Sequence, residues 1–140
     1  MDLNISALET SFDHIAGRGD ELVDVFYARL FAVAPAVKPL FAGTDLKRQK
    51  GMLLAALVLL RRSLRDLDSV TPKLHDLGAR HVRYGAQPEH YPVVGQVLIA
   101  SMAQIAGDAW NVEYEQAWTE AVAVVAGAML DGAGSVESAA

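Results

Sequence analysis

The chain has 140 residues, of which 52% are hydrophobic and 21% charged, and it contains no cysteine. This length fits a single domain with a sizeable core, so we expect residues 1–140 to form one domain. The absence of cysteine excludes disulfides, iron–sulfur clusters and a cysteine nucleophile. The formal net charge of -5 argues against a nucleic-acid partner, which requires a basic surface stripe.

Neither a signal peptide nor a membrane span is predicted. The N-terminal segment is acidic and amphipathic, and it lacks the basic and apolar regions of a signal peptide. The longest apolar run, Gly51 to Leu60, has ten residues, whereas a membrane-spanning helix needs about 20. We therefore expect a cytoplasmic protein.

Apolar residues recur at helical spacing from the N-terminus onward. A first helix is predicted to run to about Ile15, where the glycines at positions 17 and 19 interrupt the pattern. Asp20 is the predicted cap of a second helix, which stops near Pro35. A short, turn-rich helix then leads to Phe41.

A tyrosine falls on the apolar face of the second helix. Tyr27 shares this face with Leu22, Val23, Phe26, Leu30 and Phe31. A helical tyrosine in this setting is more often a core residue, with its hydroxyl bonded to a backbone carbonyl, than a ligand contact. Spacing alone therefore favours the core role.

The third predicted helix is long and runs from Leu46 to about Leu67. Its apolar face begins with a polar residue, Gln49, and continues through Met52, Leu53, Ala56, Leu57 and Leu60. A polar side chain near a helix start commonly points outward into solvent. Spacing alone favours that orientation for Gln49.

The fourth helix, which begins near Thr71, carries a histidine on its apolar face. His81 shares this face with Leu74, Leu77 and Gly78. An imidazole so placed needs a partner for each ring nitrogen. One interpretation is a core histidine satisfied by hydrogen bonds. The other is a metal ligand, and because no second ligand follows at zinc-like spacing, it requires a cofactor that takes only one ligand from the protein.

Two further helices are predicted, over Tyr91 to Ile105 and over Val112 to Leu130. Residues 131–140 are small and polar, and we expect them to form a frayed tail. No alternating strand pattern, repeat or glycine-rich phosphate loop is present. The sequence predicts an all-α fold of about seven helices, and periodicity alone allows a plain bundle as well as helices packed around a pocket.

Three motifs in the chain carry a family resemblance. The pattern LxxLGxxHxxYG, which contains His81, is followed by HYPxVG. Together they resemble the F helix, FG corner and G-helix start of globins, most closely bacterial haemoglobins of the Vitreoscilla and flavohaemoglobin type. FYARLF at residues 26–31 and PAVKPLF at residues 35–41 resemble the B and C helices of that family. The resemblance covers nearly the whole chain and implies the globin fold.

The resemblance also implies a cofactor and its ligands. It implies haem b, held through its iron by His81, with O2, NO and CO binding on the opposite side. Tyr27, Gln49 and Leu53 match the family's positions on that distal side. The remaining residues that match haem-contact positions are Phe41, Leu77, Arg80, Tyr91 and Val94.

One part of the family's proximal site is missing. In similar proteins a tyrosine and a glutamate together polarise the proximal histidine; Tyr91 matches the tyrosine, but Ala133 takes the place of the glutamate. Asp131 lies two residues earlier, roughly 200° around a helix, and whether it substitutes is left open. Because alanine cannot accept a proton, we expect His81 to donate its Nδ1 proton to the Leu77 carbonyl, as in an O2 carrier.

The resemblance implies a single-domain bacterial haemoglobin that binds O2 and NO reversibly. An NO dioxygenase is the first alternative; it would need a separate flavin reductase, because flavohaemoglobins carry a FAD and NAD reductase after the globin and this chain ends at Ala140. A haem-free globin-like sensor is the second, although it would not need His81, Phe41 and Tyr27 together. A homodimer is left open.

Overall fold

The computed structural model describes residues 3–83 and 85–139. Six α-helices account for most of them: α1 (Ile5–Ile15), α2 (Gly19–Val33), α3 (Leu46–Arg62), α4 (Thr71–Arg83), α5 (His90–Ala106) and α6 (Val112–Ala139). Short 3-10 helices cover Ala16–Arg18, Pro35–Phe41, Leu67–Val70 and Gly107–Ala109. No strand occurs in the described ranges, so the predicted all-α class is confirmed. The predicted short helix before Phe41 is a 3-10 helix.

Side-chain caps fix where several helices begin. Asn4, Asp45 and Asn111 each accept a hydrogen bond from a backbone N–H two or three residues later, at 3.2, 3.1 and 2.9 Å. The predicted cap at Asp20 is wrong. The α2 helix begins one residue earlier, at Gly19, directly after a 3-10 turn, and Asp20 lies in its first turn.

Two predicted helix ends differ from the structure. The α3 helix ends at Arg62, before the predicted Leu67. The prediction of a frayed tail over residues 131–140 is wrong for residues 131–139, because α6 continues as a helix to Ala139. Gly132 and Ala133 are buried. This segment packs against α4, and that packing stabilises it as a helix. The composition of the segment alone gave no indication of this contact.

The core lies where α1, α2, α5 and α6 cross. Trp118 is its largest fully buried side chain, and its Nε1 donates to the Ser11 hydroxyl at 2.8 Å. That hydroxyl in turn donates to the Leu8 carbonyl at 3.2 Å. The polar side-chain groups of Trp118 and Ser11 therefore both have hydrogen-bond partners, as buried polar groups in a stable core require.

The helix packing leaves α3 and α4 apart. The extensively packed pairs are α4 with α6, α2 with α3 and α5, and α6 with α1 and α5. Within the described residues, α3 and α4 do not form such a pair. The helices that carry Gln49 and His81 are therefore not packed extensively against each other. No described helix is long and apolar enough to cross a membrane.

A tight turn joins α4 to α5. Gly85 has a φ of +92°, and a Cβ at this position would lie 3.0 Å from the Leu40 Cδ2 atom, so both conformation and space favour glycine. The Gln87 N–H then donates to His90 Nδ1 at 3.0 Å. His90 therefore holds the turn at the start of α5.

Candidate functional site

The proximal side of the candidate site is His81 on α4. Its Nδ1 atom lies 2.8 Å from the carbonyl oxygen of Leu77, one helical turn earlier. A carbonyl can only accept a hydrogen bond, so Nδ1 carries the proton of the neutral ring. The lone pair of that ring is then on Nε2, which is the form of imidazole that binds a metal.

The surroundings of His81 keep the ring neutral. Burial lowers its pKa; the hydrogen bond to Leu77 opposes this effect, and the charge of Arg80 adds to it. Arg80 itself is exposed, with its guanidinium 2.8 Å from the Asp76 carboxylate. A contact between Arg80 and a cofactor stays a prediction.

The Tyr27 ring lies in an aromatic cluster between α2 and the 3-10 helix Pro35–Phe41. Only 5% of the residue is exposed. Its ring meets those of Phe26 and Phe41 edge to face, with centroids 4.9 and 5.7 Å apart, and Phe31 contacts Phe41 at 5.4 Å. These contacts fix the direction of the phenol and place Phe41 beside it.

The Tyr27 hydroxyl is paired with Gln49 across the α2–α3 contact. Burial raises the pKa of Tyr27 to about 12, and the interaction with the Gln49 side chain partly opposes this increase. Gln49 is half-buried and therefore points inward, which spacing alone did not favour. Leu53, one turn later on α3, is half-buried and packs against the core. The three predicted distal residues thus lie on adjacent elements.

An open groove of about 420 Å³ adjoins this aromatic cluster. It is mostly apolar, with Lys38 as its one charged lining residue among those described, and the Lys38 ammonium lies 6.0 Å from the centre of the Phe31 ring. The lining residues are Phe31, Pro35, Lys38, Pro39, Phe41, Ala42 and Leu46.

The other predicted haem contacts lie on α4 and α5. Leu77, Tyr91 and Val94 are each half-buried, and Val94 packs against the core. Burial raises the pKa of the Tyr91 phenol, which keeps it protonated and able to donate. Apolar and aromatic groups that are only half-buried on separate elements are typical of a pocket lining.

The structure places Ala133 away from His81. Ala133 is 7% exposed and follows Gly132, which packs on the backbone of His75. His75 precedes His81 by six residues, so this level of α4 is about 9 Å along the helix from the imidazole. Asp131 is exposed. Because the Nδ1 proton of His81 is donated to Leu77, neither position supplies its acceptor.

Sequence reasoning missed one feature of this region, the close contact between α4 and α6. A Cβ atom on Gly78 would lie 1.8 Å from the carbonyl oxygen of Met129, and a Cβ on Gly132 would lie 1.9 Å from that of His75. The only signal in the sequence was Gly78 on the apolar face of the fourth predicted helix, since Gly132 lies in the segment predicted to be a frayed tail.

Comparisons with known proteins identify the family. The globin family model matches residues 24–129. A bacterial globin from Campylobacter jejuni has a TM-score of 0.83 at 22% identity, covering 96% of each chain. An engineered carbene transferase from Rhodothermus marinus has a TM-score of 0.89 at 22% identity, covering 99% of this chain and 96% of that one. The chain belongs to the globin family, as its motifs predicted.

Curated relatives of known sequence are flavohaemoproteins. That of Chromobacterium violaceum is 34% identical over 114 residues, which are 80% of this chain and 28% of the relative. Those of Bacillus subtilis and Vibrio cholerae are each 28% identical, covering 90% and 95% of this chain and 32% and 34% of the relative. The chain thus spans about a third of the length of the curated relatives it matches.

Globin membership implies a haem cofactor, and haem b is the usual form. The residues present fit this group. The chain offers a neutral imidazole from α4, no thiolate, an edge-on phenylalanine at position 41, and half-buried aliphatic residues on α3, α4 and α5. Among the described residues, no cluster of three or more histidine or acidic side chains could hold a metal ion alone. The single imidazole therefore suits a cofactor that brings its own ligands.

Proposed function

We propose that this chain holds one haem b through Nε2 of His81 and binds O2, NO and CO reversibly on the side of Tyr27 and Gln49. The hydrogen bond from His81 Nδ1 to Leu77 carries the proposal, because it fixes the tautomer that can bind iron. When bound through His81, haem b would supply a ferrous iron that binds diatomic gases.

On the distal side, Tyr27 supplies the main hydrogen bond to a bound gas. Burial raises the pKa of Tyr27, so the phenol keeps its hydrogen, and Gln49 lies beside it on α3. The phenolic hydrogen can then be donated to the ligand. A bound O2 carries more negative charge than bound CO, so this donor favours O2.

Reversible binding is favoured over NO dioxygenase activity by the proximal side. A carbonyl acceptor leaves the His81 ring neutral, whereas a carboxylate would give it partial imidazolate character and push electron density onto iron. The dioxygenase alternative also requires electrons from a separate reductase. It remains the second candidate on the strength of the flavohaemoprotein relatives.

A visible absorption titration tests the proposal. The protein is mixed with ferric haem b, reduced, and exposed to CO. We expect saturation at one haem per chain and a Soret band that shifts on CO addition and returns when CO is removed. If the Soret absorbance of the mixture does not differ from that of free haem, haem binding is rejected and a haem-free sensor is favoured.

A second assay separates the carrier from the enzyme. The reduced, oxygenated protein is mixed with excess NO, with and without a flavin reductase and its nicotinamide. A carrier forms at most about one nitrate per chain in either case. Multiple nitrate turnovers with the reductase would establish the dioxygenase alternative.

A further inference from the structure

The helices α4 and α6 meet through two glycines that face each other's backbone. A Cβ on Gly78 would lie 1.8 Å from the carbonyl oxygen of Met129 and 2.5 Å from its carbonyl carbon. A Cβ on Gly132 would lie 1.9 Å from the carbonyl oxygen of His75 and 2.5 Å from its carbonyl carbon. Since real Cβ atoms essentially never come closer than 3.0 Å, no side chain fits at either position.

The two contacts are reciprocal. Each glycine faces the carbonyl group of the residue that precedes the other glycine by three positions: Met129 before Gly132, and His75 before Gly78. This is the pattern of two antiparallel helices related by a local two-fold axis. At such a crossing the Cα hydrogens of glycine point at carbonyl oxygens, and the helices approach more closely than side chains would allow.

The crossing lies next to the hydrogen bond that orients the proximal imidazole. Gly78 directly follows Leu77, whose carbonyl accepts the Nδ1 proton, and precedes His81 by three residues. Gly78 and Gly132 are both buried. This contact, made entirely of protein backbone, therefore holds α4 at the turn that orients His81.

We propose that Gly78 and Gly132 are positioning residues for His81, because their backbone contacts hold α4 against α6 whether or not a cofactor is bound. A second consequence is that the crossing sets how far Nε2 of His81 lies from the haem iron, and this consequence rests on the proposed function. To restore an ordinary contact of 3.4 Å, a methyl group at either glycine must separate the two backbones by roughly 1.5 Å.

Gly132→Ala and Gly127→Ala form a matched pair for the test. Both positions lie on α6, and both substitutions bring the same gain in helix propensity. A Cβ at Gly127, however, meets nothing within 4 Å. A difference between the two variants therefore reports the contact with α4. Gly132 is chosen because its partner, His75, is remote from the imidazole.

The first readout is hydrogen exchange of the haem-free proteins. In the wild type we expect amides from His75 to His81 to be as protected as those of α6 around Gly132. We expect Gly132→Ala to speed exchange in this part of α4 by about tenfold or more, and Gly127→Ala to leave it unchanged. Equal exchange in both variants would overturn the inference. If Gly132→Ala does not fold, the wild type decides, since an α4 that exchanges much faster than α6 would overturn the inference.

The second readout is the iron–histidine stretching frequency of the ferrous proteins after haem addition. The inference predicts a shifted or broadened band for Gly132→Ala and an unchanged band for Gly127→Ala. A role confined to folding would lower the stability of Gly132→Ala without moving its band, which would contradict positioning. If the wild type binds no haem, the proposed function fails, whereas the exchange experiment still tests whether the crossing holds α4.

Discussion

The Nδ1 atom of His81 is 2.8 Å from the carbonyl oxygen of Leu77, and this hydrogen bond closes within a single helix. This hydrogen bond therefore helps to orient the imidazole from within α4. A backbone carbonyl cannot take the proton away, so the ring remains a neutral ligand.

Ala133→Glu should therefore leave the iron–histidine stretching frequency unchanged, although it restores the family's glutamate. Position 133 adjoins Gly132, which packs at the level of His75, about 9 Å from His81 along α4. Resonance Raman spectra of the ferrous protein measure the frequency, and Ala133→Gln controls for side-chain size. A higher frequency in the glutamate variant alone would show that a carboxylate reaches Nδ1.

Tyr27→Phe should speed O2 dissociation by roughly 10 to 150-fold. A hydrogen bond to a charge-bearing oxygen contributes about 1.5 to 3 kcal/mol, and each factor of ten in rate corresponds to about 1.36 kcal/mol. Gln49→Leu should have a clearly smaller effect, because Gln49 acts through the Tyr27 hydroxyl and is only half-buried.

Stopped-flow measurements of O2 and CO dissociation on these two variants check this prediction. CO dissociation should barely respond to either substitution. If Tyr27→Phe changes neither rate, Tyr27 is a packing residue only.

The raised pKa of Tyr27, about 12, predicts a late step in alkaline titration of the haem-free protein. The folded state keeps this proton between about pH 10 and 12 while the unfolded state loses it, so stability falls as the pH rises through this range. The two-unit shift corresponds to about 2 to 3 kcal/mol.

Phenolate absorbance measures this titration. The chain has four tyrosines, and Tyr27→Phe should remove the late step while leaving earlier ones in place. Gln49→Leu should move the step to still higher pH, because it removes the hydrogen bond that lowers the pKa. Titration of every tyrosine near pH 10 would contradict the buried position of Tyr27.

Ser11→Ala should lower the free energy of unfolding by about 1 to 3 kcal/mol, because it leaves the buried Trp118 N–H without an acceptor. Ser101→Ala is the matched control. Ser101 is equally buried, but within the described part of the chain its hydroxyl bonds only to the Val97 carbonyl of its own helix, so its loss leaves no donor unpaired there. Urea unfolding of both variants gives the comparison, and equal losses would argue against the predicted role of the Trp118 hydrogen bond.

Local signals predicted most of the fold. Helical spacing is a property of short segments, and it located most helix boundaries within a few residues. The end of α6 was missed because burial of Gly132 depends on α4, which is distant in sequence. Long-range packing of this kind leaves no periodic signal in either segment.

For the candidate site, the family motifs predicted the residues, but helical spacing did not predict their contacts. The family motifs predicted site roles for Tyr27, Gln49 and His81, which stay predictions, and the structure shows that Gln49 lies beside Tyr27 and how His81 is oriented. Spacing alone had favoured an outward Gln49, because periodicity does not reveal which side chain of another helix lies beside it. The Gly78 crossing was missed because a glycine in a helix has no preferred partner until the backbone of another helix is known to approach it.

The most direct test of the account is haem retention in a series of single histidine substitutions. His81→Ala, His75→Ala and His90→Ala are each reconstituted with haem b, passed through a desalting column and examined for a Soret band. The account predicts loss or strong weakening of the band for His81→Ala alone, because His75 is exposed and His90 holds a turn. Retention of haem by His81→Ala together with its loss from His90→Ala would contradict the account.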